Sequence, residues 1–332
     1  MAHSLRTLRL VSASALALLM IVGTYVSTGP NPFFGAGRLA IAQTSEELLR
    51  EYATKDTDTD GLPDWQEALY GTDPNNPESF EAGISDGEAV AQGLIAPKVA
   101  VRPEDEPTDP NSIPGVVAAP SSLTDRFSQA LLQQYLTNRG DTPPSQEEIV
   151  GFVKGAVDNL SAQSLSPAVY SASDVKVAGS GSAAVRAYAA SVEAAYAANT
   201  VPSEKNELSY FADALKGNDA ALTQLSRISG AYEDMARAQM ALAVPSEVRQ
   251  AHLTIANGLM RMSEVTGDMA TLKTDPLRAL MGIALYEKAV RDMGAGFVNL
   301  AGIFSAQGIV IGENEPGYEI YYSATNLDIA PE

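Results

Sequence analysis

DPLRALMGIALYEKAVRDMGAGFVNLAGIF, residues 275–304, decides the fold class of this chain. Ala279, Ile283, Tyr286, Val290, Met293, Phe297, Leu300 and Phe304 recur in alternating steps of four and three, the apolar seam of one long helix packed along its length. Asp275 stands where a cap accepts the first free N–H groups, and Pro276 stands in the first turn, where its missing N–H is not needed. Gly294, Gly296 and Gly302 would weaken such a helix in isolation, so the close approach of a neighbour is their expected reason.

Working outward, the same helical period recurs. Val185, Tyr188, Val192 and Tyr196 mark an alanine-rich helix. Ser145 and Glu148 form a capping box ahead of Ile149, Phe152, Val153, Val157 and Leu160, and Phe127, Leu131 and Tyr135 repeat every four residues. Two stretches open with VPSE, at 201 and 244, and each reads as a helix, a break (KGND, then TGDMATLKTD) and a second helix. Met235, Met240, Met260, Met262, Met281 and Met293 fall at helical spacing and read as core filler. His252 shares a seam with Val248, Ile255, Leu259 and Met262, and reads as a hydrogen-bonded core histidine. GSGSA at 179–183 lacks the lysine of a phosphate loop and reads as a turn. QGIVIG (307–312) and GYEIYY (317–322) are expected to pair as a short terminal β-hairpin. The fold class expected is mainly α, with a helical bundle over 122–332.

Composition agrees with small-residue helical packing. Of the 332 residues, 45% are hydrophobic but only 7% aromatic. The net charge of -19 is concentrated, since residues 46–111 hold 17 acidic against 4 basic side chains. Nucleic acid is excluded as a partner because no basic stripe exists to meet phosphates. With no cysteine in the chain, disulfides, thiolate metal sites and thiol catalysis are excluded too.

PKVAVRPEDEPTDPNSIPGVVAAPS, residues 97–121, carries six prolines and four acids without an apolar period, and reads as a disordered linker. At the other end, Arg6 and Arg9 precede the uncharged run LVSASALALLMIVGTYV, residues 10–26. That run suits either a retained transmembrane anchor or a signal segment, and the arginines would keep their side in the cytoplasm and send the rest outward. Ala40-Ile41-Ala42 before Gln43 is a candidate cleavage site, so the expected product is membrane-tethered at the cell surface or cleaved and secreted. The organisation expected is therefore an anchor and spacer at 1–43, an acidic module at 44–96, the linker at 97–121 and the bundle.

The acidic module opens with TSEELLREYAT, where Thr44 and Glu47 form another capping box, and continues as DTDTDGLPDWQE, residues 56–67. A calcium ion takes six to eight oxygen ligands from a flexible loop. In a twelve-residue loop of this kind, side chains at positions 1, 3 and 5, the carbonyl of 7, position 9 and a carboxylate at 12 supply them, with glycine at 6 for the sharp turn. Those places hold Asp56, Asp58, Asp60, Leu62, Asp64, Glu67 and Gly61. A solvated acidic turn would require neither the glycine nor the final glutamate. Magnesium suits such a cage less well, because it demands tight octahedral geometry. Pro63, in the eighth place, has no N–H with which to pair with a partner loop in the EF-hand manner.

From Asp56 through GLPDWQEALYGTDPNNPES the chain resembles the EF-hand-like bacterial calcium-binding repeats akin to thrombospondin type 3 repeats. The resemblance covers about residues 55–90. It implies an extracellular, calcium-ordered module serving as spacer or surface element, and it makes Asp73, of the Gly-Thr-Asp-Pro element, a further ligand candidate. A second loop aligned from Glu78 departs from the pattern, with Phe80, Ala82 and Ala89 at its third, fifth and twelfth places. Only Glu78, Gly83 and Asp86 survive, so no full-strength second site is expected. GISDG at 83–87 matches the Gly-x-Ser-x-Gly nucleophile pattern but follows no buried strand.

The function expected from sequence is a calcium-binding, non-enzymatic protein of the cell envelope, acting structurally or through a protein partner. Two alternatives stand beside it. One is a cell-envelope enzyme acting on glycan or peptide, with the calcium module as accessory. The other is a dockerin-like docking module, which would need two competent loops.

Overall fold

A computed structural model describes residues 47–95, 130–135, 137, 145–161 and 169–326. Eleven α-helices run through these segments: α1 (residues 47–53), α2 (Asp64–Tyr70), α3 (Asp86–Ala91), α4 (residues 130–135), α5 (Gln146–Ser161), α6 (Ser182–Asn199), α7 (Glu207–Leu215), α8 (Asp219–Ala241), α9 (Arg249–Met269), α10 (Pro276–Ala306) and α11 (Tyr318–Thr325). Strand structure among the described residues is limited to two parallel two-residue pieces, β1 (Lys176–Val177) and β2 (Ala243–Val244), and one isolated bridge, Glu81 to Ile84. The chain is thus mainly helical. The apolar run at 10–26, Thr44, the stretch 97–121 and Phe127 lie outside the described residues, as do the side chains of Val157 and Leu160. Among the described residues no helix is long and apolar enough to cross a membrane.

The described residues divide into two compact units. The first draws on 47–161 and 271–284, the second on 169–270 and 285–326, so α10 contributes residues to both.

In the first unit, Leu48, Leu49, Tyr52, Leu62, Trp65, Leu69 and Tyr70 are buried, as are Leu131, Tyr135, Ile149, Phe152 and Val153. Trp65 meets Tyr135 edge-on at 6.5 Å between centroids, and Tyr135 meets Phe152 likewise at 5.7 Å. The Tyr52 hydroxyl donates to the carbonyl of Pro276, 2.7 Å away. The Ser145 capping box forms reciprocally: the Ser145 N–H donates to Glu148 Oε2 at 2.7 Å, and the Glu148 N–H to Ser145 Oγ at 3.3 Å.

The second unit is a helical bundle. Along α10, which runs through both units, every seam residue from Ala279 to Phe304 is at most 3% exposed. Asp275 caps that helix, accepting the Arg278 N–H at 3.0 Å. The glycines of its second half divide in role. A Cβ on Gly296 would lie 2.5 Å from Ile255 Cγ1 and 2.9 Å from Ile255 N, while one on Gly302 would meet nothing within 4 Å. Gly258 of α9 is the reciprocal contact, since its Cβ would stand 2.5 Å from Met293 Cα. Close helix approach therefore accounts for Gly296 and Gly258 but not for Gly302.

Three local expectations need correction. GYEIYY is not a hairpin strand: Tyr318–Thr325 is helix α11, and no strand forms at 307–312. Glu193 is the physical reason, because its Oε2 accepts the N–H of Gly317 and so fixes the first turn of the helix, while Phe304 packs against Tyr321. The VPSE stretches, whose Pro-Ser pair reads in the sequence as helix-start chemistry, do not act as helix caps either. Asn206 caps α7 by accepting the Ser209 N–H, and Val244 of the second copy pairs in β2 before a short 3₁₀ turn, Ser246–Val248. Finally, α9 continues through TGDM to Met269, burying Thr266 and Asp268, so only the six residues 270–275 form the break. Of GSGSA, Gly179 and Gly181 take φ +82° and +85° in a short irregular bend, while Ser182 and Ala183 already open α6.

Candidate metal centre

The loop 56–67 folds back on itself through its own carboxylates. Asp56 Oδ1 accepts the Thr59 N–H at 2.8 Å and Oδ2 accepts the Gly61 N–H at 3.0 Å. That wrap requires left-handed backbone, which Gly61 supplies at φ +93° without a Cβ clash. Asp60 Oδ1 accepts the Leu62 N–H at 2.8 Å. With these bonds made, one carboxylate oxygen each from Asp56, Asp58 and Asp60 lie within 4.8 Å of one another.

Asp58 within this cluster and Glu67 outside it carry unsatisfied oxygens. Both Asp58 carboxylate oxygens are buried with no hydrogen-bond partner, and so is Glu67 Oε2. Glu67 is 0% exposed, and its Oε1 has the Thr72 hydroxyl at 3.5 Å. Burial, followed by the charges of Asp58, Asp60, Asp64 and Asp86, pushes the Glu67 carboxyl up to about 8. Asp58 is raised as well, first by burial and then by Asp60. Carboxylates packed in this way repel one another unless a proton or a cation sits among them. Hard oxygen donors of this number and charge suit a hard divalent ion, and the unpartnered oxygens are free to take one.

The remaining candidates fall differently. Asp64 turns its carboxylate to the start of the loop, accepting from the Thr57 N–H and hydroxyl at 2.8 Å each and from Lys55 Nζ at 2.5 Å. It therefore stitches the two ends of the loop together. Leu62 buries its side chain. Asp73 Oδ1 accepts the Asn75 N–H at 3.1 Å, a turn within its own segment. His252 lies 0% exposed in the other unit, with the Tyr188 hydroxyl 3.2 Å from Nδ1 and Nε2 without a partner. It is a core residue, though one ring nitrogen is left unsatisfied.

The second loop keeps the frame of the first with its ligands removed. Glu78 Oε2 accepts the Gly83 N–H at 2.8 Å, as Asp56 accepts that of Gly61. Asp86, 0% exposed, accepts the Ser79 N–H and hydroxyl, as Asp64 accepts those of Thr57. Gly83 repeats the φ of Gly61 at +93°, and Gly93 repeats that of Gly71 at +74°. Ser85, the serine of GISDG, caps α3 by accepting the Glu88 N–H. Sequence reading from Glu78 identified the missing ligands but not the contacts this loop makes with the first. The Ser85 hydroxyl donates to the Asp60 carbonyl at 3.2 Å, and the Gly87 N–H donates to Asp60 Oδ2 at 2.9 Å.

Comparison with family models, curated proteins and solved structures finds no match to this chain, so the geometry of the acidic loop stands without a relative to support it.

Proposed function

We propose that this is an exported, membrane-tethered protein that binds one calcium ion in the loop 56–67, the ion ordering the acidic module while the helical bundle serves a structural or partner-binding role. The observation that carries the calcium reading is the group of Asp56, Asp58 and Asp60 oxygens, with both Asp58 oxygens buried and unpartnered, and Glu67 outside that group adds a buried, unpartnered Oε2. Asp56, Asp58, Asp60 and Glu67 supply side-chain oxygens, and Leu62 its carbonyl. Asp64 shapes the loop, its carboxylate held by Thr57 and Lys55, and meets the ion through a water. Export and tethering rest on the apolar run at 10–26 and its basic flank. An exterior location makes the ion a constant structural ligand, because calcium there seldom falls low enough to switch the site.

The test is optical and calorimetric. Trp65 is the single tryptophan, is fully buried, and donates its indole N–H to the Ala53 carbonyl at 2.7 Å. Ordering of the loop should change its fluorescence on calcium addition, with reversal by chelator and loss of the response in Asp58→Asn. No optical change and no heat of binding at several millimolar calcium would overturn the reading.

A further inference from the structure

The two loops repeat at a spacing of 22 residues, seen in Asp56 and Glu78, Thr57 and Ser79, Gly61 and Gly83, Asp64 and Asp86, and Gly71 and Gly93. The backbone follows the same register. The Asp64 N–H donates to the Lys55 carbonyl and the Asp86 N–H to that of Pro77; the Thr72 N–H donates to the Glu67 carbonyl and the Leu94 N–H to that of Ala89. What differs is chemistry. Asp58, Asp60 and Glu67 correspond to Phe80, Ala82 and Ala89. The second copy therefore retains the glycines, the first-place carboxylate and the aspartate that ties the loop ends, and has lost three of the groups that would hold a cation.

One further difference points to a use for this frame. The position held by Trp65 in the first loop is Gly87 in the second. Gly87 is an ordinary helical residue of α3, so its glycine is not required by backbone conformation. It is required by approach: a Cβ there would stand 2.6 Å from the Asp60 carbonyl oxygen, 3.0 Å from Gly61 C and 3.2 Å from Leu62 N. The space opened by the missing side chain lets the Gly87 N–H reach Asp60 Oδ2, while Leu62 holds Oδ1. Each carboxylate oxygen keeps a lone pair after accepting one hydrogen bond, so Asp60 is fixed in place and still able to ligate.

We propose that the second loop is a metal-free repeat kept to position Asp60 for the ion, with the Gly87 N–H as the positioning group, so that ion binding in the first loop and docking of the second are coupled. This rests on the calcium reading above. Outer partners that orient a ligand commonly contribute 10–100-fold to metal affinity, and coupling of this kind is reciprocal.

The experiment titrates the full chain and its Gly87→Ala, Ser85→Ala and Asp58→Asn variants with calcium by calorimetry and with terbium by luminescence lifetime, which counts bound water. Far-ultraviolet circular dichroism in chelator checks folding. Gly87→Ala should weaken calcium by roughly 10–100-fold and admit about one more water to the ion as Asp60 withdraws. Ser85→Ala, which adds no bulk, should weaken it in the same direction by a smaller factor. In the wild type, calcium should slow hydrogen exchange at Gly87. Absence of binding in the wild type, or binding that survives Asp58→Asn, overturns the calcium reading itself. Binding in the wild type that depends on Asp58, with affinity and hydration unchanged in both Gly87→Ala and Ser85→Ala, overturns the coupling alone. Should Gly87→Ala fail to fold, Ser85→Ala and the exchange measurement decide.

Discussion

His252 shows how a single side chain can set a pH limit. It is fully buried on α9, with Tyr188 and Gln239 beside Nδ1 at 3.2 and 3.5 Å and nothing bonded to Nε2. Burial lowers its pKa from 6.5 to about 4. Below 6.5 the unfolded chain takes up a proton that the folded chain refuses, so stability is complete above 6.5 and declines as pH falls toward 4. The decline amounts to about 3 kcal/mol. Urea unfolding at pH 7 and pH 4 should show this loss in the wild type and a smaller one in His252→Gln; parallel profiles would contradict it. Glu207 is the contrasting case. It is 1% exposed, yet Tyr232 and Tyr286 each donate a hydroxyl to one of its carboxylate oxygens, which offsets much of its desolvation. The seam spacing identified Tyr286 as buried, but a sequence cannot show that its hydroxyl meets a glutamate 79 positions away.

At the scale of elements, local chemistry was legible wherever the information is local. Ser145 and Glu148, Asp275 before Pro276, and Gly71 at the end of α2 all form the terminal contacts their spacing predicts. The glycines of α10 were legible only as a group, because helix propensity does not reveal which turn another helix crosses. They now separate. Gly302→Ala should stabilise the protein by about 0.5–1 kcal/mol, the difference in helix propensity at an open position. Gly296→Ala should destabilise it by about 1–3 kcal/mol, since the new methyl would overlap Ile255. Thermal unfolding midpoints shifting in opposite directions would bear this out; a shift of the same sign in both would not.

For the whole molecule, the first compact unit is discontinuous in sequence. It takes residues 271–284 from beyond the long second unit, and Tyr52 is anchored by the Pro276 carbonyl. A fragment ending at 167 lacks that anchor and the buried Ala279, Leu280, Met281 and Ile283. It should therefore show weaker near-ultraviolet dichroism and faster proteolysis at Tyr52 than the intact chain; equal resistance would show that 271–284 is dispensable to the unit.

By itself the sequence determined the helical class, the capped helix starts and the acidic loop with its glycine, because each depends on residues a few positions apart and on the helical period. It pointed the wrong way at Tyr318–Thr325, where aromatic and β-branched residues favour a strand but Glu193, far away in the chain, captures the Gly317 N–H and starts a helix. It was silent on Gly87, whose missing side chain matters only because the second loop packs against the first. Tertiary structure alone decided such points, since a hydrogen bond or a steric gap between distant segments exists only after the chain has brought them together.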